Sequence, residues 1–185
     1  GSEMCIRDSV PLTSHGSAEA VFPGSFNPLH QGHRRMVRYA ERRLGCKVHF
    51  ELSVNNVDKP SLSWPEIRRR LAQFGSGERV VLTRAPRFVD KAALFPQATF
   101  LLGIDTLCRL VDPCYAAPGA DHLATLESLC AGGARFLVFG RLMGGDFCGL
   151  PRLELPPCLA AACVEVPEAE FRADVSSTAL RQGRR

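Results

Sequence analysis

The chain has 185 residues, 45% of them hydrophobic and 23% charged, with a formal net charge of +4. That is the composition of a globular protein with a sizeable core, and no apolar run approaches the roughly 20 residues a membrane helix needs. The mild positive charge suits a small polyanionic partner without demanding nucleic acid.

Residues 1–17 are polar and follow neither apolar period. Gly1-Ser2 has the look of a tag remnant, and the stretch is expected to be disordered or loosely attached, ahead of one folded unit over 18–185. The eight cysteines, Cys5, Cys46, Cys108, Cys114, Cys130, Cys148, Cys158 and Cys163, contain no C-x-x-C pair. Scattered thiols of this kind read as buried side chains, with neither bridges nor a metal site expected.

From Glu19 the chain alternates strands with helices. The apolar runs predict strands at Glu19–Phe22, Lys47–Val54, Arg79–Arg84, Ala98–Leu102, Arg135–Gly140 and Cys163–Val166. Most are continuous rather than alternating, as in strands covered on both faces. Helices are predicted at His30–Leu44, Trp64–Phe74, Val89–Phe95 and Asp121–Cys130, with a last one starting near Ser176. The alternation argues for an α/β fold, a Rossmann-like doubly wound parallel sheet in a single domain.

The stretch Ala20-Val21-Phe22-Pro23-Gly24-Ser25-Phe26-Asn27-Pro28-Leu29-His30-Gln31-Gly32-His33 organises the rest. Pro23 has no N–H for a ladder and ends the strand. Gly24 permits unusual backbone angles or close ligand approach, and Ser25, Asn27 and Pro28 favour a turn. His30 and His33, three apart, share one helix face at its N-terminus, where free N–H groups attract anions. A phosphate-handling site follows from that chemistry.

The first helix carries Met36, Val37, Ala40 and Leu44 on one stripe. Arg34, Arg35, Arg38, Arg42 and Arg43 lie largely off it, as a solvated basic face, and Gly45 is placed to cap the helix. Ser63 and Glu66 have the spacing of a capping box for the second helix, whose Trp64, Ile67, Leu71 and Phe74 read as core. Lys59, in the polar loop before it, follows a strand's carboxyl end, where α/β sheets bind ligands, although a plain surface lysine has the same signature. Gly103-Ile104-Asp105 follows another strand and reads equally as a turn with a helix cap. Leu142–Pro157 is rich in Gly and Pro and reads as a loop. Asp174-Val175-Ser176-Ser177-Thr178 has the composition of a second helix N-terminus, with Arg181 one turn on.

Gly24-Ser25-Phe26-Asn27-Pro28-Leu29-His30-Gln31-Gly32-His33 resembles the G-[ST]-F-[DN]-P-x-H-x-G-H signature of the nucleotidylyltransferase superfamily. Val175-Ser176-Ser177-Thr178-Ala179-Leu180-Arg181 resembles its second signature, I-S-S-T-x-x-R. The nearest branch is that of the nicotinamide and nicotinate mononucleotide adenylyltransferases. The resemblance implies AMP transfer from ATP to a phosphate-bearing acceptor, nicotinamide mononucleotide first, with release of pyrophosphate. It implies catalytic roles for His30, His33, Lys59 and Arg181. Gly24, Ser25, Phe26, Gly103, Asp105, Arg141, Ser176, Ser177 and Thr178 would contact the nucleotide, and Asn27 and Tyr115 the acceptor. Magnesium is expected to arrive with ATP rather than in a protein cage. The segment Asp112-Pro113-Cys114-Tyr115 stands where that branch carries a stacking aromatic residue, often tryptophan, so Tyr115 would stack instead. Cytidylyl transfer, adenylylation of another acceptor and a non-catalytic nucleotide-binding domain remain open. The expected setting is the cytoplasm, with ATP and a small phosphorylated acceptor as partners, neither membrane nor nucleic acid, and homo-oligomerisation left open.

Overall fold

The computed structural model describes residues 18–55, 60–116, 119–143 and 146–172. Its elements run β1 Ala20–Pro23, α1 Gln31–Leu44, β2 Val48–Ser53, α2 Trp64–Leu71, β3 Arg79–Thr83, α3 Phe88–Leu94, β4 Thr99–Gly103, α4 Ile104–Val111, α5 His122–Ala131, β5 Arg135–Phe139, β6 Arg141–Met143, β7 Asp146–Cys148, α6 Pro157–Ala162 and β8 Cys163–Val166. Six strands form one sheet in the order β3-β2-β1-β4-β5-β8, and every pairing in it is parallel. The order reverses between β1 and β4, which makes their carboxyl ends the topological switch point where such sheets bind ligands.

Alternate residues of one strand serve opposite faces. Ala20 and Phe22 join Val37, Ala40 and Phe50 in one apolar cluster, under α1. Val21 joins Phe100, Leu107, Leu126 and Leu159 in the other, under α4, α5 and α6. The α/β, Rossmann-like reading is therefore the observed fold. Gly45 takes the left-handed conformation at φ 70° and its N–H bonds the Glu41 carbonyl, ending α1 as its position predicts.

Several local expectations are corrected. Ser63 does precede α2, but its side chain makes no capping hydrogen bond. The Glu66 carboxylate is engaged by Arg69 and Arg70 instead. Trp64 is 43% exposed rather than core, with the Arg68 guanidinium 5.5 Å from its ring. Leu142–Pro157 is not one loop. It holds most of the β6–β7 hairpin, a 3-10 turn and the start of α6. The leader 1–17 and the helix expected from Ser176 lie outside the described residues. Among the described residues no helix is long and apolar enough to cross a membrane.

Candidate active site

The turn after β1 is held from beneath and from the side. Gly24 N–H donates to the Glu51 carbonyl of β2 at 3.0 Å. Phe26, 2% exposed, places its ring among those of Phe22, His33, Phe50 and Phe74. A Cβ on Gly24 would sit 2.6 Å from that ring. The unusual backbone angle falls on Phe26, at φ 43°, and not on Gly24. Gly24 is thus required by Phe26's packing, a reason the sequence does not display.

Three side chains near the end of α2 clamp the same turn. Arg70 donates to the Ser25 carbonyl at 2.8 Å. Gln73 donates to the Phe26 carbonyl and accepts from Leu29 N–H, each at 2.9 Å. Arg69 donates to the Asn27 side-chain oxygen at 2.8 Å. Asn27, expected to meet an acceptor, therefore has its amide oxygen committed to Arg69. No local pattern in the sequence marks Arg69, Arg70 or Gln73 as partners of a turn more than 40 residues away.

His30 stands at the N-cap of α1 and His33 at its third position. Their rings stack with centroids 3.7 Å apart. His33 Nδ1 accepts the His30 backbone N–H at 3.2 Å, so the neutral ring of His33 carries its proton on Nε2. Burial holds His33 down at about 3, with the charges of His30 and Arg34 adding to it, and burial also lowers His30. Both imidazoles are neutral donors at physiological pH. The Nδ1 of His30 is buried and has no partner among the described residues.

On the next strands, Gly103 ends β4 at φ −77°, and a Cβ there would meet nothing within 4 Å. Asp105 lies in the first turn of α4, and its carboxylate takes Arg141 Nη1 at 2.6 Å from the residue that follows β5 and Gly140. Both partners are just over two-fifths exposed. Tyr115, 39% exposed, lines a cavity of about 400 Å³ with Pro86, Phe88 and Val89 from the β3–α3 corner, and with Arg109 and His122. The structure thus brings Gly24, Ser25, Phe26, His30 and His33 together after β1, and sets Gly103, Asp105 and Arg141 at the neighbouring carboxyl ends. Lys59, Ser176, Ser177, Thr178 and Arg181 lie outside the described residues.

A family model described as cytidylyltransferase-like matches residues 21–183. A probable nicotinate-nucleotide adenylyltransferase of Roseobacter denitrificans is 30% identical over 119 residues, spanning 56% of this chain and 60% of that protein. Another of the same name, from Gloeobacter violaceus, is 29% identical over 185 residues, spanning 90% of this chain and 84% of that protein.

Proposed function

The chain belongs to the cytidylyltransferase-like family within the nucleotidylyltransferases, and from that premise we propose that it moves the adenylyl group of ATP onto the phosphate of a pyridine mononucleotide. One observation carries the reading. Two neutral imidazoles are fixed against each other at a helix N-terminus, beside the glycine turn that ends β1. Their ring N–H groups and the free N–H groups of α1 form a donor set already aimed at an anion, with no reorganisation left to make during reaction.

An acceptor phosphate oxygen attacks the α-phosphorus of ATP. The bond from that phosphorus to its bridging oxygen breaks, and pyrophosphate leaves. Such a reaction needs positioning and charge stabilisation and no covalent nucleophile. The Nε2–H of His33 donates to a non-bridging oxygen of the transferring phosphate, with His30 beside it. The backbone N–H groups of Ser25 and Phe26 receive the acceptor phosphate, on the turn that Gly24 anchors to Glu51. Asp105 accepts from ribose hydroxyls, and Arg141, anchored on it, keeps further N–H donors for phosphate. Lys59, Ser176, Ser177, Thr178 and Arg181 are assigned to the departing β- and γ-phosphates. Among the described residues no three His, Cys, Asp or Glu side chains gather into a cation cage. Magnesium would arrive bound mainly by the triphosphate and would offset its charge.

The aromatic end of the acceptor belongs in the Tyr115 cavity, where Phe88 and Tyr115 offer rings and Arg109 a cation. The names of the two relatives favour the nicotinate form over the nicotinamide form. Purified protein given ATP or CTP with each mononucleotide, and with phosphopantetheine as an unrelated acceptor, tests this. Pyrophosphate and a dinucleotide should appear with ATP and a pyridine mononucleotide. Turnover confined to CTP, or nucleotide-induced thermal stabilisation with no turnover under any pair, would overturn it.

A further inference from the structure

The middle of β2 buries a carboxylate that no step above uses. Glu51 is fully buried, and Lys91 of α3 is 5% exposed. Lys91 Nζ reaches both Glu51 oxygens, at 3.0 and 2.9 Å, and gives a third bond to the Ala85 carbonyl at 2.6 Å. The Thr83 hydroxyl donates to Glu51 Oε1, and its oxygen accepts Ala85 N–H at 3.2 Å. Every donor of the ammonium is used. Both backbone polar groups of Ala85 are held by this one cluster, and the backbone carbonyl of Glu51 carries Gly24.

A buried pair of this kind is an inefficient stabiliser, since apolar residues of similar volume often fold as well or better. What it does offer is direction. Ala85 opens the corner between β3 and α3, and the next four residues, Pro86, Arg87, Phe88 and Val89, form one wall of the Tyr115 cavity. We infer that Glu51, Lys91 and Thr83 are positioning residues that hold the β3–α3 corner, and with it the acceptor wall, in register with the turn after β1. The kinetic side of this inference rests on the acceptor assignment above; the structural side does not.

The test is a double variant, Glu51→Gln with Lys91→Met, which removes both charges at nearly constant volume, and a separate Thr83→Val, which keeps the ion pair. Hydrogen exchange of the full chain should quicken at Ala85, Arg87 and Phe88 by at least about tenfold in the double variant, with β4 and β5 unchanged. The acceptor KM should rise about tenfold while the ATP KM stays within about twofold. Thr83→Val removes the acceptor of Ala85 N–H itself, and should quicken exchange directly at Ala85 and to a smaller extent than the double variant at Arg87 and Phe88. Unchanged protection at the corner would overturn the inference, as would a uniform loss of protection across the sheet with a lowered Tm. Should the double variant not fold, unchanged corner exchange in Thr83→Val overturns it alone. Wild-type protein silent toward every nucleotide and acceptor would sink the adenylyltransferase reading, and the exchange data would still decide the positioning role.

Discussion

His33 Nδ1 accepts the backbone N–H of His30 at 3.2 Å, so the imidazole we propose for the transferring phosphate also caps its own helix. The two duties can be separated. His33→Ala removes both, and the lost cap should cost about 1 kcal/mol, or about 2–4 °C in Tm for a chain of this size. His33→Gln restores a side-chain acceptor at the third helical position, where Gln is a natural partner for the N-cap N–H. Both variants should lose about a hundredfold or more in turnover, as expected for a missing transition-state donor, while His33→Gln melts close to wild type. Turnover and Tm measured on the same preparations check it. Activity that returns with the cap would make His33 structural.

Stability should depend on pH through the same residue. His33 sits at about 3 in the folded chain against 6.5 for an ordinary imidazole. The unfolded chain therefore binds more protons between those two values, and stability rises with pH across that window. It is fully present above 6.5 and lost as pH falls toward 3, with a slope from this group of at most about 1.4 kcal/mol per unit. His30, also lowered by burial, adds to the loss in the same direction. Denaturant midpoints from pH 4 to 8 should show wild type weakening relative to His33→Gln on acidification. A gap between the two that stays constant with pH would contradict a buried neutral ring.

The six sheet strands were legible to within one residue at each end, because continuous apolar runs bounded by Gly, Pro and polar clusters have few other uses in an alternating chain. What failed lacked a local signal. α4 begins directly at the end of β4, with no connecting loop, and Gly103-Ile104-Asp105 at the junction reads as a turn as readily as a helix start. The three-residue strands of the hairpin disappear inside a Gly- and Pro-rich stretch. Helical spacing put Trp64 on the apolar stripe, but spacing cannot tell that the first turn overhangs the core. In the site, His30 and His33 were visible as a motif. The Glu51–Lys91 pair spans 40 residues and the α2 clamp on Ser25 spans 45, and no pattern in sequence joins such positions.

Two glycines at strand ends should respond oppositely to alanine. In Gly24→Ala the new Cβ meets a Phe26 ring boxed in by Phe22, His33, Phe50 and Phe74, so the ring has no free direction to move. Overpacking of this kind costs about 1–3 kcal/mol, visible as a lowered denaturant midpoint. Gly103 has an ordinary extended backbone, and its Cβ would enter open space. Gly103→Ala should therefore fold like wild type and raise the KM for ATP, by about tenfold where the nucleotide lies against that backbone. An unchanged ATP KM in a well-folded Gly103→Ala would move the nucleotide off β4.

Asp105 and Arg141 face each other at 2.6 Å across the ends of β4 and β5, with each side chain more than a third exposed. Exposed pairs of this kind contribute at most about 1 kcal/mol, so neither partner is needed for folding. In the proposed reading each serves the nucleotide: a carboxylate with acceptor capacity for ribose hydroxyls, and a guanidinium with donors left over. Asp105→Asn keeps the shape and one acceptor oxygen but loses the charge that anchors Arg141. It should leave Tm within a few degrees, and raise the ATP KM by about tenfold, the worth of one charge-assisted hydrogen bond. Arg141→Ala should do likewise. If one bound nucleotide spans both residues, the double variant should be less impaired than the product of the single effects, because each single change already misplaces the other partner. Strictly multiplicative effects would mean that the two act on separate parts of the ligand. No effect of either on KM would leave the pair a surface contact and remove both from the site.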